Sequence, residues 1–290
     1  MSFCERALAF PCRGDWLYGV ASVPPQPAGR GVLVVVGGPQ YRAGSHRQFT
    51  LLARSLAASG IPTMRFDYRG MGDSQGAARS FEDIGDDLSA AIDHFVEAVP
   101  GVREVVVWGL CDAASAAMLY AARDPRVTGL VLLNPWGCTA DDVARTTLKH
   151  YYRARLLEGS LWKKILTGRF DYAAAASSFA GLVRSALGAG RAREGDSPAP
   201  EALEAPDAPL PQRMLQGLSR FQGKVLLILS GADLTAKAFS DMANASGDWQ
   251  RVLGAPRVTR RALAPADHTF SRRDWRDQVA GWTCEWVRSW

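Results

Sequence analysis

The strongest constraint on how this chain can fold is a rhythm in which strand-like apolar runs alternate with amphipathic helical spacing. Residues 31–36 (GVLVVV) form a β-branched run, the pattern of a strand buried on both faces. Residues 46–58 then place Phe49, Leu52, Ala53 and Leu56 at helical spacing, with Gly60 following as a candidate C′ residue. The rhythm repeats with a short strand at 62–66 and helical spacing at 81–98 through Ile84, Leu88, Ile92, Phe95 and Val96. A strand at 104–108 (EVVVW), a small-residue helix (AASAAMLYAAR) and a strand at 127–133 (VTGLVLL) come next. Such alternation over short connections predicts an α/β fold, a mostly parallel central sheet with helices on both faces. Residues 15–22 (DWLYGVAS) predict one strand of an N-terminal hairpin.

The rhythm breaks from about 137 to 218. Helical material at 141–157 and 172–187 is followed by a stretch rich in Pro, Ala, Gly and Glu at 188–211, expected to be a flexible loop. The rhythm resumes with a strand at 224–230 (KVLLILS), a helix at 235–246, a strand at 257–263 and a closing helix at 272–289. The expected organisation is a core from 1–136 and 219–290, with a helical cap inserted at 137–218. A chain of 290 residues suits one such domain.

Composition excludes several classes of function. A hydrophobic share of 47% with 22% charged residues is that of a folded globular chain. The net charge of +5 is spread as Arg pairs (Arg260-Arg261, Arg272-Arg273) without a basic run or a known motif, so no nucleic-acid partner is expected. Nine tryptophans, concentrated late in the chain, are expected to pack core and cap. The five cysteines (Cys4, Cys12, Cys111, Cys138, Cys284) are odd in number, widely spaced and free of any CxxC. That argues against a disulfide framework or a zinc site and for a reducing compartment, so no metal or cofactor is expected. The N-terminus MSFCERALAF lacks the pattern of a signal peptide, and no apolar stretch is long enough to span a membrane. These features predict a cytoplasmic protein and leave the oligomeric state open; the expectation of a small-molecule or acyl-bearing substrate comes from the candidate catalytic residues at the strand ends.

Chemistry-bearing residues fall at strand ends. Strand 104–108 runs into Gly109-Leu110-Cys111-Asp112-Ala113. A nucleophile elbow, G-x-S-x-G, needs a strand before, a helix after and small residues two positions either side. Here cysteine stands for serine and alanine for the second glycine. Taken alone, Cys111 is equally an inert buried thiol. Gly231-Ala232-Asp233 follows strand 224–230, and Asp233 is either a ligand-facing acid or a helix N-cap. Of the four histidines (His46, His94, His150, His268), only His268, in Ala266-Asp267-His268-Thr269-Phe270, sits on a loop after a late strand. Nucleophile, acid and histidine at 111, 233 and 268 follow the chain order of the α/β-hydrolase triad. In that scheme the N–H of Asp112 supplies one oxyanion donor. Pro39 has no N–H, so the second donor is Gly38 or Gln40, or is missing.

The loop Asp67-Tyr68-Arg69-Gly70-Met71-Gly72-Asp73-Ser74 closely resembles the D-x-R-G-x-G-x-S loop of many α/β-hydrolases. Together with Gly37-Gly38-Pro39-Gln40-Tyr41-Arg42, Gly44-Ser45-His46-Arg47, the elbow and the His268 pentapeptide, it resembles the exosortase A system-associated hydrolases, specifically the group called hydrolase 1. The similarity spans nearly the whole chain apart from 188–211. It implies an α/β-hydrolase fold and a link to exosortase and exopolysaccharide systems, without a substrate. Three functions follow as expectations. The first is an ester or thioester hydrolase using Cys111, His268 and Asp233. The second is an acyltransferase to a sugar hydroxyl on the same scaffold. The third is a non-catalytic binding protein that kept the fold.

Overall fold

The computed structural model describes residues 2–38, 40–137 and 208–290. Eight strands form one sheet: β1 (Cys4–Cys12), β2 (Asp15–Val23), β3 (Arg30–Val35), β4 (Thr63–Asp67), β5 (Glu104–Leu110), β6 (Val127–Leu133), β7 (Lys224–Ser230) and β8 (Val258–Leu263). Their order is β1-β2-β4-β3-β5-β6-β7-β8. The β1–β2 and β2–β4 pairings are antiparallel, and every pairing from β4 to β8 is parallel. The helices among the described residues are α1 (Gln48–Ala58), α2 (Gly85–Ala98), α3 (Asp112–Tyr120), α4 (Leu210–Arg220), α5 (Leu234–Ala245), α6 (Gly247–Leu253) and α7 (Arg273–Arg288). This is an α/β-hydrolase fold, a mostly parallel sheet with helices on both faces.

The apolar runs of the central strands are sorted by the pleat, because successive side chains point to opposite faces. Val32, Val34, Val106, Trp108 and Leu110 face Phe49, Leu52 and Leu56 of α1 and Val279 and Val287 of α7. Leu33, Val35, Val105 and Val107 face Leu88, Ile92 and Phe95 of α2, Ala113 and Ala117 of α3, and Met214 and Leu218 of α4. Each fully buried Val, Leu, Ile, Phe or Met among them contributes about 1.5–3 kcal/mol. Both faces need cover, which is why these strands show no polar alternation. The edge strand β8 differs: Arg260 and Arg261 are exposed on it, and charge on an edge discourages pairing with another chain.

Two boundaries differ from expectation. Helix α4 lies inside the stretch 137–218 assigned to the cap, yet it packs on α3, with Met214 and Leu218 fully buried. A Cβ on Gly217 would strike the carbonyl oxygen of Met118. The core therefore resumes by residue 210, and its return is a helix, not strand 224–230. The spacing at 81–98 begins with a short 3-10 turn at Phe81–Asp83, capped by Ser80, whose hydroxyl accepts from the Glu82 N–H at 3.2 Å, and α2 proper starts at Gly85. The expected helices at 141–157 and 172–187 and nearly all of the loop at 188–211 lie outside the described residues.

Topology sets the position of the site. From β3 the chain goes to β4 on one side, while β5 lies on the other. At such a switch point the loops beyond the strand ends part and leave a crevice. The register pairs Val35 with Gly109, so the Gly37-Gly38 loop emerges beside the turn that carries Cys111.

Candidate active site

Strand β5 ends at Leu110 and α3 begins at Asp112, so the chain reverses at Cys111 alone. Cys111 pays for this with φ 62° and ψ −123°, a conformation sparsely populated by residues with a side chain. The surroundings hold it there. Its N–H donates to the Leu133 carbonyl at 2.9 Å, and its carbonyl accepts from Ala114 at 3.1 Å and Trp136 at 3.2 Å. A Cβ on Gly109 would lie 2.6 Å from the Ala113 carbonyl oxygen, so only glycine fits two residues before the turn. Two residues after it, the methyl group of Ala113 is accommodated and fully buried, which accounts for alanine where glycine is usual. The Cys111 thiol is free and half-buried.

Asp233 follows β7 and is 7% exposed. Its carboxylate caps α5, with Oδ1 accepting from the Thr235 N–H and Oδ2 from the Ala236 N–H, each at 3.1 Å. The same Oδ2 lies 2.9 Å from Nδ1 of His268. The two sequence alternatives for Asp233 are thus one arrangement: the helix cap fixes the carboxylate that orients the histidine. With Nδ1 engaged, Nε2 is the ring nitrogen left to face Cys111, which lies close enough to act on the imidazole's charge. The imidazole is pushed up to about 10, first by its bond to Asp233 and then by Cys111, against desolvation. Sequence order alone foretold neither the bond between His268 and Asp233 nor the nearness of Cys111 to the imidazole. His94 instead stacks on Phe10 at 5.0 Å, His46 lies in the loop after β3, and His150 is outside the described residues.

A polar brace beneath His268 escaped the sequence reading. Asn134, fully buried with φ 42°, closes β6. Its amide donates to the Ser230 hydroxyl at 2.7 Å and to the His268 carbonyl at 3.0 Å, and its oxygen accepts from the Ser230 N–H at 2.8 Å. The Ser230 hydroxyl donates onward to the Asp267 carbonyl at 2.9 Å. The brace ties the ends of β6 and β7 to the histidine loop. The signal for it was a polar residue ending each of two apolar runs, LVLLN and LLILS.

The expected oxyanion donors are differently disposed. The Gly38 N–H points at the Asp112 side chain, 2.9 Å from Oδ1 and 2.8 Å from Oδ2. The Ala113 N–H also reaches Oδ1 at 2.9 Å. Burial raises the Asp112 carboxyl above its ordinary range, opposed by the N–H groups of Gly38, Ala113 and Asp112 itself. The Gln40 side chain faces away from this cluster, its oxygen accepting from the Ser45 N–H at 3.2 Å. Pro39 lies outside the described residues.

The glycine-rich loop after β4 braces the loop after β3. Buried Asp67 accepts from the Arg42 N–H at 2.6 Å and pairs with its guanidinium, anchoring the loop that carries Gly38. The Ser74 hydroxyl donates to the Asp67 carbonyl at 2.6 Å and accepts from the Tyr18 N–H at 2.9 Å. No helix among the described residues is long and apolar enough to cross a membrane.

Comparison with known proteins agrees with this architecture. No curated protein matches the sequence. Among solved structures, an esterase from Pyrococcus furiosus superposes with a TM-score of 0.64 at 14% identity, covering 99% of this chain and 92% of that one. A dienelactone hydrolase from Anabaena variabilis gives 0.60 at 16% identity, covering 99% and 97%. An esterase from Thermogutta terrifontis gives 0.55 at 16%, covering 98% of each. At these identities the likeness is one of fold. The model of a hydrolase family described as serine aminopeptidase, S33, matches residues 28–173, which include the loop after β3, the D-x-R-G-x-G-x-S loop and the elbow. With half of its length matched, the chain belongs to the serine aminopeptidase S33 family of α/β-hydrolases, carrying cysteine at the elbow.

Proposed function

We propose that this protein hydrolyses an ester or thioester, with Cys111 as nucleophile, His268 as acid and base, and Asp233 as the partner that orients and charges the imidazole. The observation that carries the reading is His268 bonded through Nδ1 to Asp233 and close enough to Cys111 for the sulfur to raise it, with Cys111 on a strained one-residue turn. The names of the structurally similar proteins, two esterases and a dienelactone hydrolase, agree with such a substrate. The motif resemblance supports a cytoplasmic role beside an exosortase and exopolysaccharide system.

An imidazole held at about 10 carries its proton at neutral pH, so it is not the base that first activates the nucleophile. The reactive form is a sulfur anion beside an imidazolium. Sulfur attacks the carbonyl carbon and the carbonyl electrons move onto oxygen. The intermediate collapses, the bond to the leaving group breaks, and His268 gives its Nε2 proton to the departing alcohol or thiol. Acylation removes the negative sulfur, one of the groups that raised the imidazole, so neutral His268 takes a proton from water. The resulting hydroxide adds to the acyl carbon, the carbon–sulfur bond breaks, and the acid leaves with the ion pair restored. The N–H groups of Asp112 and of Gly38 or Gln40 are the proposed oxyanion donors.

Two measurements test this. Iodoacetamide should alkylate Cys111 faster than a free thiol, and the rate should fall about tenfold or more in His268→Ala; equal rates in the two proteins would sink the ion pair. The pH profile of ester kcat/KM should keep its activity into the alkaline range and lose it near pH 10, as His268 loses its proton. Asp233→Asn removes the largest cause of the raised value, so the alkaline limb should move toward neutral pH by roughly one to three units. The sign extends to stability: the His268–Asp233 contribution is full below the ordinary histidine value and fades as pH rises toward 10.

A second reading, a binding protein without turnover, has one observation in its favour: the Gly38 N–H is already taken by Asp112.

A further inference from the structure

We infer that the Asp112 carboxylate is a built-in occupant of the oxyanion site, one that a substrate carbonyl must displace, and that it sets the rate of acylation. The inference rests on the proposed hydrolase reading. A tetrahedral oxyanion on Cys111 would need the N–H groups of Asp112 and Gly38. In this structure the Gly38 N–H meets both oxygens of a carboxylate. The Ala113 N–H, at the first turn of α3, meets one of them. A carboxylate is a fair mimic of the oxyanion in charge and size, and a helix start is where an anion is held best.

The site is shaped for this occupant. A Cβ on Gly37 would overlap Asp112 Oδ1, so the carboxylate fits only because the residue preceding Gly38 has no side chain. Asp112 is the residue directly after the nucleophile, and its side chain reaches back across the loop after β3. The donor is present and aimed, but it is engaged. Such a site would turn over slowly until Asp112 rotates away, and would favour carbonyls reactive enough to accumulate negative charge early.

Two reactions of the full chain separate this effect from the reactivity of the thiol itself. Alkylation of Cys111 by iodoacetamide develops no oxyanion on a carbonyl addition centre. Acylation of Cys111 by p-nitrophenyl acetate does. The ratio of the two rates, read at Cys111 by peptide mass, is therefore insensitive to changes in thiol ionisation caused by removing a nearby charge. In Asp112→Ala the acylation-to-alkylation ratio should rise on the order of tenfold, because the Gly38 donor is released. Asp112→Asn keeps the size and an oxygen for the Ala113 N–H but weakens the bond to Gly38. It should raise the ratio by about threefold or more and serves if the alanine variant does not fold. A ratio raised less than about threefold, or lowered, in the folded variants overturns the inference. If Cys111 is acylated in the unaltered protein and the ratio is unmoved, the inference falls alone. If neither the unaltered protein nor the variants acylate at Cys111 while alkylation proceeds, the hydrolase reading falls and takes the inference with it.

Discussion

Cys111→Ala should lower ester kcat/KM by about four orders of magnitude or more, since loss of a nucleophile leaves only binding and oxyanion contacts. The fold should survive, because Cys111 is half-buried and its turn is held by backbone bonds to Leu133, Ala114 and Trp136. The more telling variant is Cys111→Ser. Serine restores the residue that the family description names, on an elbow of the right geometry. A serine hydroxyl, however, must hand its proton to a neutral imidazole in the attack. His268 is raised first by Asp233 and only second by Cys111, so removing the sulfur leaves much of the cause in place. The serine variant should therefore retain less than about 1% of the activity at pH 7. Steady-state kinetics on p-nitrophenyl butyrate, with thermal melting as a control for folding, checks both variants. A serine variant as fast as the parent would show that the site works as a serine hydrolase in which cysteine is incidental.

The parts of this design that were legible in the sequence are those written in local periodicity. The run GVLVVV had to be a strand covered on both sides, and its alternate residues do face α1 and α7 on one side and α2, α3 and α4 on the other. The elbow was legible because glycine, a nucleophilic side chain and a small residue meet steric demands that the Gly109 and Cys111 geometry displays. What the sequence hid depends on side-chain direction. Asp112 could be named as a backbone donor, yet nothing in Gly-Leu-Cys-Asp-Ala shows that its carboxylate reaches across to Gly38. The Asn134–Ser230 brace was hidden because its members lie at the ends of two apolar strands far apart in sequence. Helix α4 was hidden because it follows a Pro- and Ala-rich stretch, with Pro211 in its first turn, and looked like more of the same. Proline is well tolerated there, which turns an apparent breaker into a start signal.

Asp87→Ala should cost about 3–5 kcal/mol, the largest stability loss expected from a single polar change in the described core. Asp87 is fully buried on α2, and its carboxylate meets Arg69 in a two-pronged pair, Oδ1 to Nε at 3.0 Å and Oδ2 to Nη2 at 2.8 Å. Oδ1 also accepts from the Arg69 N–H at 2.8 Å. Arg69 is 6% exposed, and the pair holds its guanidinium charged, above its already high ordinary value. Removing the carboxylate leaves a charged fork that is largely dry, with Asp86 at 3.8 Å as its remaining acidic neighbour. Arg69→Met should cost a comparable amount, because methionine fills the space but leaves the fully buried Asp87 carboxylate with only its backbone bond. The melting temperature should fall by roughly 10 °C in Asp87→Ala. Activity per folded molecule should fall too, and this separates a positioning role from plain packing. Arg69 belongs to the loop whose Asp67 clamps Arg42, and Arg42 lies on the loop that presents Gly38 to the elbow. If Asp87→Ala melts early but keeps full kcat at 20 °C below its midpoint, the loop serves the fold alone. If kcat falls with KM little changed, the D-x-R-G-x-G-x-S loop acts through Arg42 on the oxyanion site, and it supports the chemistry without touching the substrate.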